Sequence, residues 1–296
     1  MNHRAAYFAL LLLLTASAGA NCQRWVWQPQ AATPAVLPAQ ASLSQVIAVV
    51  NDNRARVASI RSSQALLSTP GAPSMRAEVA IGGPRHLRLT AGTGLTGSEV
   101  DLGSNEEIFW FWIKRNEPPG VYFARHDAFA VSQIRQSIPI QPEWLVEAFG
   151  LVYLDPNGAH QGPFVRQDGR LEVHTTTTTP AGPATRVLVV DPQTGWVVEQ
   201  HLLSSNRQIL ASAFNSRHLR DPQTGFVMPR RTDLSFGGNR MSLELSDLAV
   251  NPLDLSPELW IKPTFEGYPD RDLTQMASVS GGQLPGPPAS APSRYR

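Results

Sequence analysis

The sequence has little cysteine and little charge. One of its 296 residues is cysteine, so no disulfide can form within the chain and its stability must come from a hydrophobic core. Charged residues make up 17% of the chain, below the roughly 25% of typical soluble domains, and the formal net charge is +1. This composition excludes the extended basic surface with which proteins bind nucleic acid.

The sequence also lacks the common motifs of catalysis. It contains no Gly-x-Ser-x-Gly, no P-loop, no Gly-x-Gly-x-x-Gly after a strand and no His-Glu-x-x-His. The histidines are scattered without the spacing of metal ligands. We therefore predict that the protein is not an enzyme and holds no metal or other cofactor.

Two histidines leave an enzymatic alternative open, that of an envelope hydrolase with an unrecognised site. His126 precedes Asp127 where a strand passes into a helix, and the aspartate is expected to cap that helix rather than to form half of a relay. A cleft that brought His126 or His201 against a serine and a carboxylate would favour the hydrolase.

Long apolar runs are missing beyond the N-terminus, which predicts that the chain has no transmembrane helix. Residues 1–21 have the layout of a secretory signal: a basic start at Met1–Arg4, an apolar stretch at Ala5–Ala16 and small residues at Ser17–Ala20. An apolar run of about a dozen residues is too short to span a bilayer, which needs roughly twenty. We therefore predict an exported protein and exclude this segment from the fold.

The single cysteine, Cys22, directly follows this segment. In bacterial lipoproteins a cysteine at this place carries fatty acyl groups such as palmitate. Gly19-Ala20-Asn21 fits the lipobox only in part, and cleavage after Ala20 would instead leave a free thiol in a soluble periplasmic protein. Lipidation is favoured, because an unpaired thiol is otherwise hard to explain in an exported chain. Gln23, where an acidic residue would retain the protein in the inner membrane, indicates the outer membrane.

Two flanking segments delimit one domain. Residues 22–41 are rich in proline, alanine and glutamine and predict a tether between a membrane anchor and the domain. Residues 266–296 are predicted to form a disordered tail rich in proline, glycine and serine. The intervening residues 42–265 are long enough to bury a sizeable core.

Helical patterns occur in two regions. Ser42 and Gln45 fit a capping box, and the apolar residues that follow them have helical spacing. A second helical region lies between Asp127 and Phe149, where Pro142 suits the first position of a helix and Gly150 its end.

Most of the remaining chain alternates as strands do. The pentapeptide Asp-Pro-Gln-Thr-Gly occurs at 191–195 and again at 221–225, and each copy predicts a turn between two antiparallel strands. A repeat protein is the alternative, but the sequence between the copies does not visibly repeat. Gly237-Gly238-Asn239, between two alternating segments, predicts a hairpin.

One strand is apolar on both faces. Ile108–Lys114 reads Ile-Phe-Trp-Phe-Trp-Ile-Lys, whereas a half-buried strand would alternate. Such a strand must be covered on both sides, and the two helical regions are candidates to cover one of them. A central strand in a simple sandwich is the alternative.

These features, taken in order, resemble the lipoprotein carrier and acceptor (LolA/LolB-like) family, and in particular its divergent lipidated members. The resemblance rests on the first helix, the strands of residues 77–91, the segment Val100–Trp112, Glu117-Pro118-Pro119, a helical insertion and a long meander, and it covers residues 42–263. It implies a mainly β fold: a single curved antiparallel sheet forming a half-open barrel, with N-terminal and inserted lid helices. In that fold a hydrophobic hollow can hold acyl chains.

The sequence therefore predicts an envelope lipoprotein that binds an acyl chain or other hydrophobic ligand, including that of an acylated protein, at the periplasmic face of the outer membrane. The expected partners are a lipid or acylated protein and the membrane, and the chain is expected to be a monomer. The alternative is a protein-interaction or sensory module that uses the same fold without a lipid ligand. The candidate lining residues are aromatic: Phe109, Trp110, Phe111, Trp112, Trp144 and Phe149.

Overall fold

The computed structural model describes residues 35–95, 97–132, 134, 141–179, 182–253 and 255–276. The predicted signal, Cys22 and the first part of the tether lie outside these residues and stay predictions. The fold extends past the expected domain limits at both ends. Leu37 is buried against the first helix, and Asp270–Asp272 forms the last strand.

The described residues form three α-helices, fifteen β-strands and two short 3-10 helices. The α-helices are α1 (Leu43–Ala55), α2 (His126–Val131) and α3 (Pro142–Ala148). The 3-10 helices are Pro257–Trp260 and Leu273–Gln275. The strands are β1 (Ile60–Ser68), β2 (Met75–Ile81), β3 (Leu87–Thr93), β4 (Gly97–Ser104), β5 (Ile108–Ile113), β6 (Val121–Arg125), β7 (His160–Val165), β8 (Leu171–Thr179), β9 (Gly182–Asp191), β10 (Trp196–Leu203), β11 (Ile209–Arg220), β12 (Val227–Phe236), β13 (Asn239–Leu245), β14 (Ala249–Val250) and β15 (Asp270–Asp272). None of the described helices is both long and apolar enough to cross a membrane.

All the strands belong to one sheet, in the order β15-β6-β5-β4-β3-β2-β1-β13-β12-β11-β10-β9-β8-β7, with β14 paired to β1. Neighbouring strands are antiparallel, except that β15 runs parallel to β6. The sheet is curved and open, since its first and last strands do not pair. The predicted fold class, a mainly β half-open barrel formed by one antiparallel sheet, is confirmed.

The repeated pentapeptide makes the predicted turns. One copy joins β9 to β10 and the other joins β11 to β12. In each, the final glycine has φ of +73° and donates its N–H to the carbonyl of the aspartate that opens the turn, at 2.7 Å for Gly195 and 2.9 Å for Gly225. Glycine adopts this left-handed conformation at little cost, which explains its place at the end of both copies.

Helix α1 begins with the predicted capping box. The Ser42 hydroxyl accepts from the Gln45 N–H, and the Gln45 side chain accepts from the Ser42 N–H. Val46, Ile47 and Val50 form the buried side of the helix. They pack in one cluster with Leu171, Val173, Leu188 and Val190, so α1 covers β8 and β9.

Helix α3 starts and stops where its sequence predicts. Pro142 occupies the first turn, where a missing N–H costs nothing, and Gly150 follows the helix with φ of +94°. Trp144, Leu145 and Phe149 join the largest core cluster, which includes strands from both halves of the sheet. We call the side of the sheet that carries the three α-helices the inner face. The opposite side is the outer face.

Candidate functional site

The aromatic strand β5 is covered on both sides, as predicted. Phe109 and Phe111 lie on the inner face, because they are in register with Ser104 and Leu102, and Leu102 belongs to the inner core. Trp110 and Trp112 alternate with them and therefore lie on the outer face. The two pairs cannot line the same hollow.

The inner pair packs against the edge of the sheet. The rings of Phe109 and Phe129 meet edge to face with centroids 4.9 Å apart, which places α2 over β5. Phe111 stacks on Tyr122 of β6 with centroids 5.1 Å apart. Phe111 is only half-buried, whereas Phe109 is 7% exposed.

The outer pair is covered by the C-terminal segment, residues 255–270. The Trp112 ring stacks on Phe265 with centroids 3.9 Å apart, and Tyr268 meets it edge to face. Trp110 is fully buried, and its indole N–H donates to Asp101 at 3.1 Å. These contacts make Trp110 and Trp112 part of the packing between the sheet and the segment.

Trp144 of α3 and Phe149, the residue that follows the helix, are 6% and 3% exposed within the inner core. Charged contacts fix the helix to the sheet. The Arg186 guanidinium on β9 pairs with the Glu147 carboxylate at 2.5 Å, and Arg85 pairs with Glu143 at 2.9 Å. Burial raises the pKa of Glu147, and the charge of Arg186 opposes that rise. Helix α3 is thus a lid tied to both halves of the sheet.

The inner face also carries apolar side chains that α3 leaves half-buried. They alternate with outward residues along their strands and pack against the edge of the inner core: Met75, Val100, Leu102, Leu202, Phe236 and Met241. We call this set the inner rim. The same cluster contains residues with small side chains, which extend only a short distance from the sheet: Ala65, Ala77, Ala91, Ala211 and Ala213.

No single stretch of the sequence marks the inner rim. Its members are apolar residues on five different strands, and only the period of two within each strand signals them. Which strands become neighbours depends on the sheet order, and that order emerges only from the structure.

A serine and a carboxylate do meet His201 on the outer face. His201 Nδ1 lies 2.8 Å from the Ser212 hydroxyl and Nε2 lies 3.2 Å from Glu199. Burial raises the pKa of Glu199, but hydrogen bonds from Arg166 and His201 outweigh it and hold that pKa below its usual value. Ser212, His201 and Glu199 thus contact one another in the same order as a nucleophile, a base and the carboxylate that orients the base.

The surroundings of Ser212 do not suit hydrolysis. Ser212 is 4% exposed and sits in the middle of β11, paired with both β10 and β12. The backbone N–H groups of the neighbouring residues lie within the paired strands of the sheet. An oxyanion hole instead needs donors that point at the substrate. We interpret the three side chains as a polar network on the sheet surface.

His126 has a similar set of neighbours at the start of α2. Its Nε2 lies 2.9 Å from the Asn105 carbonyl and 3.3 Å from the hydroxyl of Ser104, which is fully buried. Glu143 is 4.0 Å away. The N-cap residue of α2 is Arg125, whose side chain makes no capping hydrogen bond, so the expectation that Asp127 is the cap is wrong. Asp127 lies in the first turn, where its carboxylate accepts from Arg125.

Within the described residues, no group of three histidine, cysteine, aspartate or glutamate side chains is placed to hold a metal ion.

Comparison with solved structures finds proteins of similar architecture. A LolA superfamily protein from Nitrosomonas europaea is 12% identical with a TM-score of 0.44, and the alignment covers 74% of this chain and 97% of that one. A putative outer membrane lipoprotein-sorting protein domain from Vibrio parahaemolyticus is 11% identical with a TM-score of 0.47, covering 72% and 94%. A DUF1329 family protein from Desulfovibrio piger is 11% identical with a TM-score of 0.47, covering 74% and 96%.

No family model matches the sequence, and no curated protein matches it. Because the TM-scores of these three structures are below 0.5, the fold is assigned from the sheet order and the placement of the helices.

Proposed function

We propose that the protein binds an acyl chain or another hydrophobic ligand on the inner face of its sheet, without catalysing a reaction. The observation that carries this proposal is the inner rim, a set of half-buried apolar side chains on the side of a curved sheet that a short helix covers incompletely. Apolar side chains that stay accessible on one face of a domain are candidates for a binding site.

The chemistry of the inner rim suits a chain of methylene groups. Each methylene buried contributes about 0.8 kcal/mol, so eight of them contribute roughly 6 kcal/mol before the cost of ordering the ligand. The rim includes two methionines, Met75 and Met241, whose flexible side chains adapt to ligands of different shape. Of the residues predicted to line the hollow, Phe109, Phe111, Trp144 and Phe149 lie on this face, and Phe111 remains half-buried there.

Two features would place the binding surface near a membrane. We propose that residues 1–21 direct export and that Cys22 is acylated, which anchors the domain at the periplasmic face of the outer membrane through the tether. More than one acyl chain gives stable attachment. Export without acylation, giving a soluble periplasmic protein, is the alternative.

Native mass spectrometry of the full chain, produced with its own signal segment, tests both parts. The intact mass of the denatured chain reports acyl groups on Cys22, and under native conditions a further mass that is lost on organic extraction reports bound lipid. Bound lipid in both the wild type and a Cys22→Ser variant supports the inner-face site. Absence of lipid from both, together with no uptake of added palmitate, contradicts it.

One observation favours the alternative of a protein-interaction module. The strand order ends at β7, and its Phe164 and Val165 are 47% and 67% exposed. An edge strand presents unpaired backbone groups to which another chain can add. A purified protein that carries no lipid and takes up no palmitate would favour this reading.

A further inference from the structure

A recess lies on the outer face of the sheet, away from the inner rim. It has a volume of about 300 Å³ and lies between strands β1 to β3 and the 3-10 helix Pro257–Trp260. Its wall includes two arginines, two glutamates and two hydroxyl residues: Arg61, Arg88, Glu78, Glu258, Thr90 and Ser256. Charge of both signs around one small volume distinguishes it from the apolar inner face.

The sheet register explains why the recess exists. Ala80 of β2 pairs with Arg61 on one side and with Arg88 on the other, so a methyl group stands between two long cationic side chains. Because neighbouring strands are about 4.8 Å apart, the two arginine stems leave the sheet about 10 Å from each other. Glu78 and Thr90 form the next cross-strand row, and Ser256, Glu258 and Leu259 line another side of the recess.

Arg88 is held rigidly in the wall. Its Nη2 donates to Asp101 at 2.6 Å, and its Nη1 donates to the carbonyls of Ile261 at 2.8 Å and Leu259 at 3.2 Å. Its guanidinium also lies over the Trp110 ring, 5.3 Å from the centroid. The Nε of Arg88 is buried and has no hydrogen-bond partner among the described residues.

We propose that this recess binds a small zwitterion. Its acidic group, a carboxylate or a phosphate, lies above Ala80 between Arg61 and Arg88, and its ammonium group lies beside Glu78 and Glu258. The volume of the recess, about 300 Å³, lies at the lower end of the range of small-molecule pockets. The recess lies on strands β1 to β3 on the opposite face of the sheet from the inner rim. The site therefore does not depend on the inner-face proposal.

Calorimetric titration of the full chain tests this, with L-alanine and O-phosphoethanolamine as zwitterionic probes and acetate and ethylammonium as singly charged fragments. We expect one zwitterion to bind at least about tenfold more tightly than either fragment. Binding of L-alanine identifies a free amino acid as the kind of ligand. Binding of O-phosphoethanolamine, together with sedimentation on phosphatidylethanolamine vesicles, identifies a lipid headgroup.

Three variants locate the binding. Arg61→Gln should weaken it at least about tenfold, and Arg76→Gln, an exposed arginine on β2 outside the recess, should leave it within about twofold. Glu258→Gln, on the exposed 3-10 helix, should remove the preference for the zwitterion over acetate without unfolding the sheet. The proposal is overturned if neither zwitterion binds, or if Arg61→Gln and Arg76→Gln bind as the wild type does.

Discussion

The indole of Trp110 lies across Gly103 on the neighbouring strand. A Cβ added to Gly103 would come within 2.2 Å of the Trp110 ring, so only glycine leaves room for the ring there. From this position Trp110 bonds Asp101 and lies beneath Arg88. The most aromatic strand of the sequence thus supports the charged wall of the outer recess.

Gly103→Ala should destabilise the protein by about 2 kcal/mol, because the indole must move in a filled interior. Urea unfolding followed by tryptophan emission would measure the loss. Gly94→Ala is the matched control, since a Cβ at Gly94 meets nothing within 4 Å, and it should change stability by less than about 1 kcal/mol. Equal effects of the two substitutions would contradict the packing described for Trp110.

The pair that ties α3 to the sheet gives a second prediction. Arg186→Met leaves the Glu147 carboxylate without its cation and should cost about 3 kcal/mol in unfolding free energy. The double variant Glu147→Gln/Arg186→Met should recover most of that loss, because no charge remains uncompensated. Arg217→Met breaks a more exposed pair with Glu244 and should cost less than about 1 kcal/mol. A double variant no more stable than Arg186→Met would show that the pair does not govern this contact.

Asp247 should make stability depend on pH in the acid range. Burial raises its pKa, but hydrogen bonds from Ser63, Ser62 and Gln64 outweigh burial and lower that pKa from 3.8 to about 2. Because the folded-state pKa lies below the unfolded one, the ionised group stabilises the fold above pH 3.8, and this stabilisation is lost as pH falls towards about 2.

Asp247→Asn should therefore cost about 2 kcal/mol at neutral pH and flatten the acid limb of the stability profile, as measured by urea unfolding at a series of pH values. Ser63→Ala removes one of the donors and should give an intermediate result. An unchanged acid limb in Asp247→Asn would assign the acid sensitivity to other carboxylates.

The network of Ser212, His201 and Glu199 should not hydrolyse esters. With p-nitrophenyl butyrate as substrate, we expect the wild type, Ser212→Ala and Ser235→Ala to show the same background rate. Ser235 is a suitable control, because it pairs with Ser212 across β11 and β12. Turnover that Ser212→Ala abolishes and Ser235→Ala preserves would instead establish the envelope hydrolase that the sequence left open.

Local features of the fold could be predicted from the sequence because each depends on a few neighbouring residues. The capping box at Ser42, the two Asp-Pro-Gln-Thr-Gly turns and the end of α3 at Gly150 are of this kind. The coverage of β5 on both sides also followed from composition, since an apolar strand of this length cannot face water on either side.

The sites depend on contacts between distant residues and could not be predicted in the same way. The outer recess needs Ala80 between Arg61 and Arg88, a register that no single strand specifies. Nothing in the sequence separates Trp110 from Phe111 as ligand-lining candidates. The structure separates them because the C-terminal segment covers the outer face and α2 and α3 lie on the inner one.

The most direct test of the account is a titration of the purified chain with a fluorescent polyene fatty acid. We predict saturable binding at one site, weakened at least about tenfold by Phe236→Ser on the inner rim. Phe214→Ser, which truncates a phenylalanine that is 47% exposed on the outer face, should leave it within about twofold. Failure of the wild type to saturate, or equal weakening by the two substitutions, would contradict an acyl-binding inner face.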